Sequence, residues 1–320
     1  MAEDCWPRYG AYIAAVIQSM YILVSCSSNV VLCGAILDEL ITTFHIPIQL
    51  WIVLVGIIAF PTLFTKHFSH VAWFSLISFL ALLAIIFLVL GYGFSTYHTL
   101  QFDQIPFWDL KGTFIAFPVV VFGFSGVIYL PTLEENMKNP NDFNVVLAIS
   151  YVPSFILKLL FGLFGFVLYY PNIDQVITNS IPHATFKIIV SCIVFINVSC
   201  SYPFESKALI QCIEDSITKE SLRSKFDSLL WLVTIRVAVT IAILLPGMVI
   251  PHFALILSFI SSFLIMMGEF VMPCIFHLYF KSHDLYWYHK LIDYFIIVFG
   301  ILIGIIGLIA SSMDVTKTFQ

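Results

Sequence analysis

Apolar residues in this chain come in long unbroken windows, not in the three-and-four spacing of a surface helix or the alternation of a half-buried strand. Nine such windows lie near residues 12–37, 47–65, 70–93, 112–131, 144–170, 185–204, 229–250, 253–279 and 291–312. Each has roughly the twenty residues that carry an α-helix across a hydrocarbon core of about 30 Å, about twice what a barrel strand needs. Lipid offers the backbone no hydrogen-bond partner, so segments of this length cross it as helices. The pattern predicts an all-α membrane protein of about nine transmembrane helices. The polar stretches between windows are short, and the longest, about 205–228, is too small to fold alone. Residues 1–320 therefore read as a single transmembrane domain.

Composition agrees. The chain is 60% hydrophobic and 10% charged, with a mean hydropathy of +1.00, where soluble domains have about 45–50% apolar and 25% charged residues. Its 14 basic and 19 acidic residues cannot wet a water-soluble bundle of this size. There is no phosphate-binding loop, no glycine-rich dinucleotide turn, no HExxH and no nucleophile elbow, so the chain does not read as an enzyme. Scattered basic residues and a net charge of −5 argue against nucleic-acid binding. Cys26, Cys33, Cys192, Cys200 and Cys274 sit in apolar windows without metal-ligand spacing, and no cofactor is indicated. The opening residues lack the short apolar core and small-residue site of a cleaved signal, so the first span reads as retained.

Nine spans put the termini on opposite sides. With a cytosolic N-terminus, that side carries Arg8, Lys66, Lys138, Lys207, Lys219, Arg223, Lys225, Lys281 and Lys290, against Lys111, Lys187 and Lys317 on the other. Nine cations against three fixes the N-terminus in the cytosol and the C-terminus outside it by the positive-inside rule.

The fourth window has an unusual centre. Phe117-Pro118 leads to Gly123-Phe124-Ser125-Gly126, and Pro131 follows. A helix weakened at that point frees backbone groups at mid-membrane depth, which only protein or a water-filled cavity can satisfy; discontinuous transporter helices build substrate sites this way. Small residues that let helices approach closely are the alternative. The segment that follows, Leu130-Pro131-Thr132-Leu133-Glu134-Glu135-Asn136-Met137-Lys138-Asn139-Pro140, resembles the sixth-helix motif of the amino acid/auxin permease family. Val176-Ile177-Thr178-Asn179 with Ile181-Pro182, Ser201-Tyr202-Pro203, Pro251-His252-Phe253-Ala254-Leu255 and Phe276-His277-Leu278 point within it to the vesicular inhibitory amino acid (GABA and glycine) transporters.

The resemblance covers residues 10–312 and implies a fold of two inverted five-helix repeats, with the nine spans here similar to helices three to eleven and a discontinuous helix at 112–131. It implies transport of small neutral amino acids, with protons as coupling ion, by alternating access, in a vesicle membrane rather than the plasma membrane. The family's first two helices have no counterpart, and the first of them normally carries the partner break. Either the sequence is a fragment, or it is a shortened, non-transporting paralogue with a structural or regulatory role.

For substrate contact the resemblance and the break single out Gly123, Phe124, Ser125 and Gly126, with Ser27 and Asn29 of the first span and Asn197 and Tyr202 of the sixth as further lining residues. These last four serve equally as interhelical hydrogen-bonding groups. Ionisable residues inside a membrane are costly and mark function by default, which selects Lys158, Arg236 and Glu269 for coupling or gating. By helical rise they lie about 21, 10 and 16 Å from the cytosolic ends of their spans, a depth at which they can meet. A structural salt bridge is the alternative. Glu134, at the cytosolic end of the broken span, reads as a gate residue paired with Lys207 or Arg236, or as a solvated carboxylate.

The charge count makes one direct prediction. An epitope at Met1 is expected inside the cytosol and one at Gln320 outside it, as read by antibody access before and after permeabilisation; both tags on one side would remove the odd span count.

Overall fold

The computed structural model describes residues 10–41, 46–64, 68–95, 110–124, 126, 130, 134, 137, 139–170, 173–174, 176–217, 229–249, 261–281 and 286–318. Each apolar window is helical within them. In chain order these are α1 (Gly10–Leu40), α2 (Ile48–Ala59) with a 3-10 turn over Phe60–Phe64, α3 (Phe68–Ser95), α4 (Leu110–Phe124) and α5 (Phe143–Tyr169). Then come α6 (Ala184–Ile217), α7 (Leu229–Val249), a π-helical run over Ser261–Val271 that leads directly into α8 (Met272–Phe280), and α9 (Trp287–Thr318). No strand occurs among the described residues. Six of the rods are long and apolar enough to cross a membrane alone, while α2 and α7 are shorter apolar helices. The fourth window is short for a different reason: its helix stops inside it, at Phe124. The Pro251–Leu255 segment lies outside the described residues.

α1 stands at the centre. Tyr21, Ile22, Cys26, Val30, Val31, Cys33 and Ile36 are all buried, on every side of the helix, as expected of a rod enclosed by others. It packs most extensively against α6, then α2 and α7. α6 is shared with α3, and α4 lies against α9 and the π-helical run. α5 occupies the rim, where Ile149, Phe155, Leu159 and Leu163 are exposed, as lipid-facing side chains should be.

Lipid tails are as apolar as leucine, so these helices gain little from hydrophobic burial against each other and depend on close van der Waals fit. Gly34 shows this: a Cβ there would stand 2.8 Å from Cγ1 of Ile52 and 3.2 Å from its backbone nitrogen, so only glycine lets α1 and α2 approach so closely. At Gly247 an added Cβ would meet Val31 Cγ2 at 2.5 Å. Gly34→Leu is therefore expected to cost about 1–3 kcal/mol, read as a lowered melting temperature in detergent. Gly91→Leu should be neutral within about 0.5 kcal/mol, because an added Cβ there meets nothing within 4 Å.

Candidate functional site

Gly123 and Phe124 end α4, Gly126 is outside any helix, and Leu130 and Glu134 are helical again. Ser125 and the residues at 127–129 and 131–133 lie outside the described residues. The last carbonyls of a helix have no partner within it. Here the Gly123 carbonyl accepts a hydrogen bond from Lys158 Nζ, delivered from α5. The same ammonium lies 4.6 Å from the Phe124 ring centroid. A cation at the negative pole of α4 and over an aromatic face is favourable on both counts.

The bond borders a cavity of about 200 Å³ lined by Gly123, Phe124, Gly126, Ser150, Tyr151, Ser154 and Lys158. Tyr151, Ser154 and Lys158 recur at three- and four-residue spacing and so share one face of α5. The Ser150 and Ser154 hydroxyls donate to the carbonyls of Val146 and Ser150, at 2.8 and 2.7 Å, and keep lone pairs free to accept. The Tyr151 hydroxyl lies 2.7 Å from where a Cβ on Gly126 would stand, so glycine keeps this mouth open. Glu269, on the π-helical run, is within Coulombic reach of Tyr151. A cation, three hydroxyls and a nearby carboxylate form an arrangement that can hold a small zwitterion.

The wall differs from the sequence expectation, which placed the first and sixth spans beside the break; the cavity at Gly123 is walled by the fifth. Helical phase explains much of the difference. Ser27 and Asn29 are about 200° apart around α1, and Asn197 and Tyr202 about 140° apart around α6, so neither pair faces one space. Asn197 Nδ2 turns to α3 and donates to the Ser78 carbonyl at 2.7 Å and its hydroxyl at 3.0 Å, an interhelical bond. Ser27 is buried, with no partner for its hydroxyl among the described residues. Asn29 and Tyr202 instead line a separate, mostly apolar cavity of about 260 Å³ between α1, α2 and α6.

Of the intramembrane charges, Lys158 and Glu269 both lie by Tyr151, whereas Arg236 binds elsewhere. Arg236 Nε donates to the Leu63 carbonyl at 3.0 Å, its guanidinium lies 5.2 Å from the Phe64 ring, and Nη2 is 3.7 Å from Glu214 Oε1. Arg236 thus ties α7 to α6 and to the end of α2. Glu134 is exposed, and its carbonyl accepts from the Met137 amide at 3.1 Å. A residue missed in the sequence is Glu205. Asn29 Nδ2 donates to Glu205 Oε2 at 3.0 Å, and the Ser25 hydroxyl also bonds this carboxyl. The signal is the run Ser201-Tyr202-Pro203-Phe204-Glu205, where hydropathy closes the sixth window at 204 and leaves Glu205 in a loop. The helix runs on to Ile217 and keeps it inside.

The family model described as "Transmembrane amino acid transporter protein" matches residues 1–313. The vesicular inhibitory amino acid transporter of Xenopus tropicalis is 27% identical over 324 residues, covering 98% of this chain and 62% of that protein. The human protein of that name is 26% identical over 328 residues, covering 99% and 62%. The vesicular GABA transporter of Caenorhabditis elegans is 31% identical over 210 residues, covering 63% and 43%. The chain spans about three fifths of the length of the vertebrate relatives. With the helical bundle described above, these matches establish that the chain is a multi-pass integral membrane protein and belongs to the transmembrane amino acid transporter family.

Proposed function

We propose that this chain moves small neutral amino acids, GABA and glycine among them, across a vesicle membrane by proton-linked alternating access, with its N-terminus in the cytosol. The cavity at the end of α4 carries this reading. At about 200 Å³ it is smaller than the roughly 300–1,000 Å³ of sites for drug-sized ligands, which suits a small substrate. The substrate carboxylate takes the place of the Gly123 carbonyl on Lys158, and the hydroxyls of Tyr151, Ser150 and Ser154 accept from its ammonium. The helix break is the hinge, because α4 has lost its internal hydrogen bonds there and turns with little further loss. Relatives named as vesicular inhibitory amino acid and GABA transporters support the substrate class and the compartment.

Binding and transport are separable in a test. Saturating GABA or glycine should raise the melting temperature of the purified chain, since a ligand at 100 times its dissociation constant adds about 2.7 kcal/mol to the folded state. Lys158→Met should weaken that binding about 10- to 100-fold, the effect of losing a hydrogen bond to a charged group. Gly123→Leu should insert and fold normally, since an added Cβ meets nothing within 4 Å, yet fill the cavity and abolish both the shift and uptake into proteoliposomes. Gly126→Leu should do the same and also lose stability against the Tyr151 hydroxyl. Binding and uptake untouched by all three variants would place the substrate elsewhere.

A further inference from the structure

Glu205 is a carboxylate within the span Ala184–Glu214, only six residues, or about 9 Å, from its midpoint. A charge at that depth is retained only with a partner or a purpose. Its hydrogen bonds come from neutral donors on the facing helix, Asn29 Nδ2 at 3.0 Å and the Ser25 hydroxyl. The titratable groups that face it are Cys26 from α1 and Tyr202 from α6, both ordinarily neutral acids that feel its charge. The ion pairs of α6 are elsewhere on the helix: Lys187 with Glu39 is about 27 Å along the axis and Glu214 with Arg236 about 14 Å. α3 offers α6 the neutral Ser78. Among the described residues Glu205 has no cationic partner.

We infer that Glu205 is the group that takes up and releases the coupled proton. The inference rests on the proton-linked reading above. One carboxylate oxygen gains the proton from water on one side of the membrane and returns it to water on the other, with no other bond made or broken. Packing between α1 and α6 without a cation among the described residues disfavours a fixed charge on Glu205, while the Asn29 and Ser25 donors can hold either form of the carboxyl. An ionised carboxyl is matched to a state in which the two helices part and water reaches it, so the protonation of Glu205 sets how closely α1 and α6 pack.

The test uses the full chain, with infrared difference spectra across a pH series to follow the stretch of a protonated carboxyl group, and paired uptake measurements in proteoliposomes. The chain should show a titrating carboxyl band that Glu205→Gln removes, while Gln keeps a hydrogen-bonding isostere so that the fold stands. Asn29→Ala should shift the band without removing it. Uptake driven by a proton gradient should fall at least tenfold in Glu205→Gln, with substrate exchange in the absence of a gradient retained. A band that survives in Glu205→Gln, or gradient-driven uptake equal to wild type, would overturn the assignment and leave the transport reading intact. A band lost in Glu205→Gln in a chain that moves no substrate would sustain the proton site and overturn the transport reading.

Discussion

Inside a bilayer a peptide carbonyl without a hydrogen-bond partner costs several kcal/mol, and this single constraint orders the structure. It forces the nine windows into helices, and it makes any interruption of a helix a liability that another side chain must cover. The interruption after Phe124 is covered by Lys158, whose long side chain crosses from α5 to the Gly123 carbonyl. The bond serves both groups: the carbonyl receives a donor, and the ammonium receives an acceptor and an aromatic face at a depth where neither is supplied by lipid. A bond between a charge and a backbone end is also one that a stronger acceptor, such as a carboxylate, can displace. The feature that makes the break tolerable is thus the one on which the proposed substrate site depends.

Around that break the remaining helices divide by how firmly they are held. α1 is enclosed by α2, α6 and α7, and its approach to α2 and α7 is tightened at Gly34 and Gly247. Ion pairs fasten both ends of α6: Lys187 to Glu39 at its start, Glu214 to Arg236 near its finish. Pairs that keep partial contact with solvent contribute about 0–1 kcal/mol each, so their role is to fix register more than to stabilise. Arg236 does more, because its guanidinium also takes the Leu63 carbonyl at the end of α2 and lies over Phe64. By contrast α4 leans on α9 and the π-helical run, and α5 stands at the rim.

Much of this was legible in the sequence because a bilayer imposes one length and one periodicity. The windows located helices α1 to α9 among the described residues, and the glycines at 123 and 126 located the end of α4. What the sequence could not supply was azimuth. Asn197 looks equivalent to Tyr202 as a polar residue of the sixth span, yet five residues of helix turn it toward Ser78 and away from the separate α1–α2–α6 cavity that Tyr202 lines. Lys158 and Arg236 were both visible as intramembrane cations, but depth alone suggested a cluster where direction sends one to Gly123 and the other to Glu214. Glu205 was lost at a window boundary, because hydropathy falls where a helix begins to carry polar residues even though the helix itself continues to Ile217.

Substrate and proton sites on different helices need a physical link if one is to drive the other. The proposed substrate site hangs on α4 and α5, the proposed proton site on α1 and α6. Their contact is specific: the ring of Tyr21 lies 6.2 Å from that of Phe122. Phe122 immediately precedes Gly123, and Tyr21 sits one turn before Ser25, which bonds the Glu205 carboxyl. If ionisation of Glu205 moves α1 away from α6, that movement bears on Phe122 and through it on the carbonyl that Lys158 holds. Displacement of that carbonyl by substrate bears on α1 by the same route in reverse, as reciprocity of coupling demands. The linkage needs no long chain of intermediates, because one aromatic contact joins the end of the broken helix to the helix at the centre of the bundle.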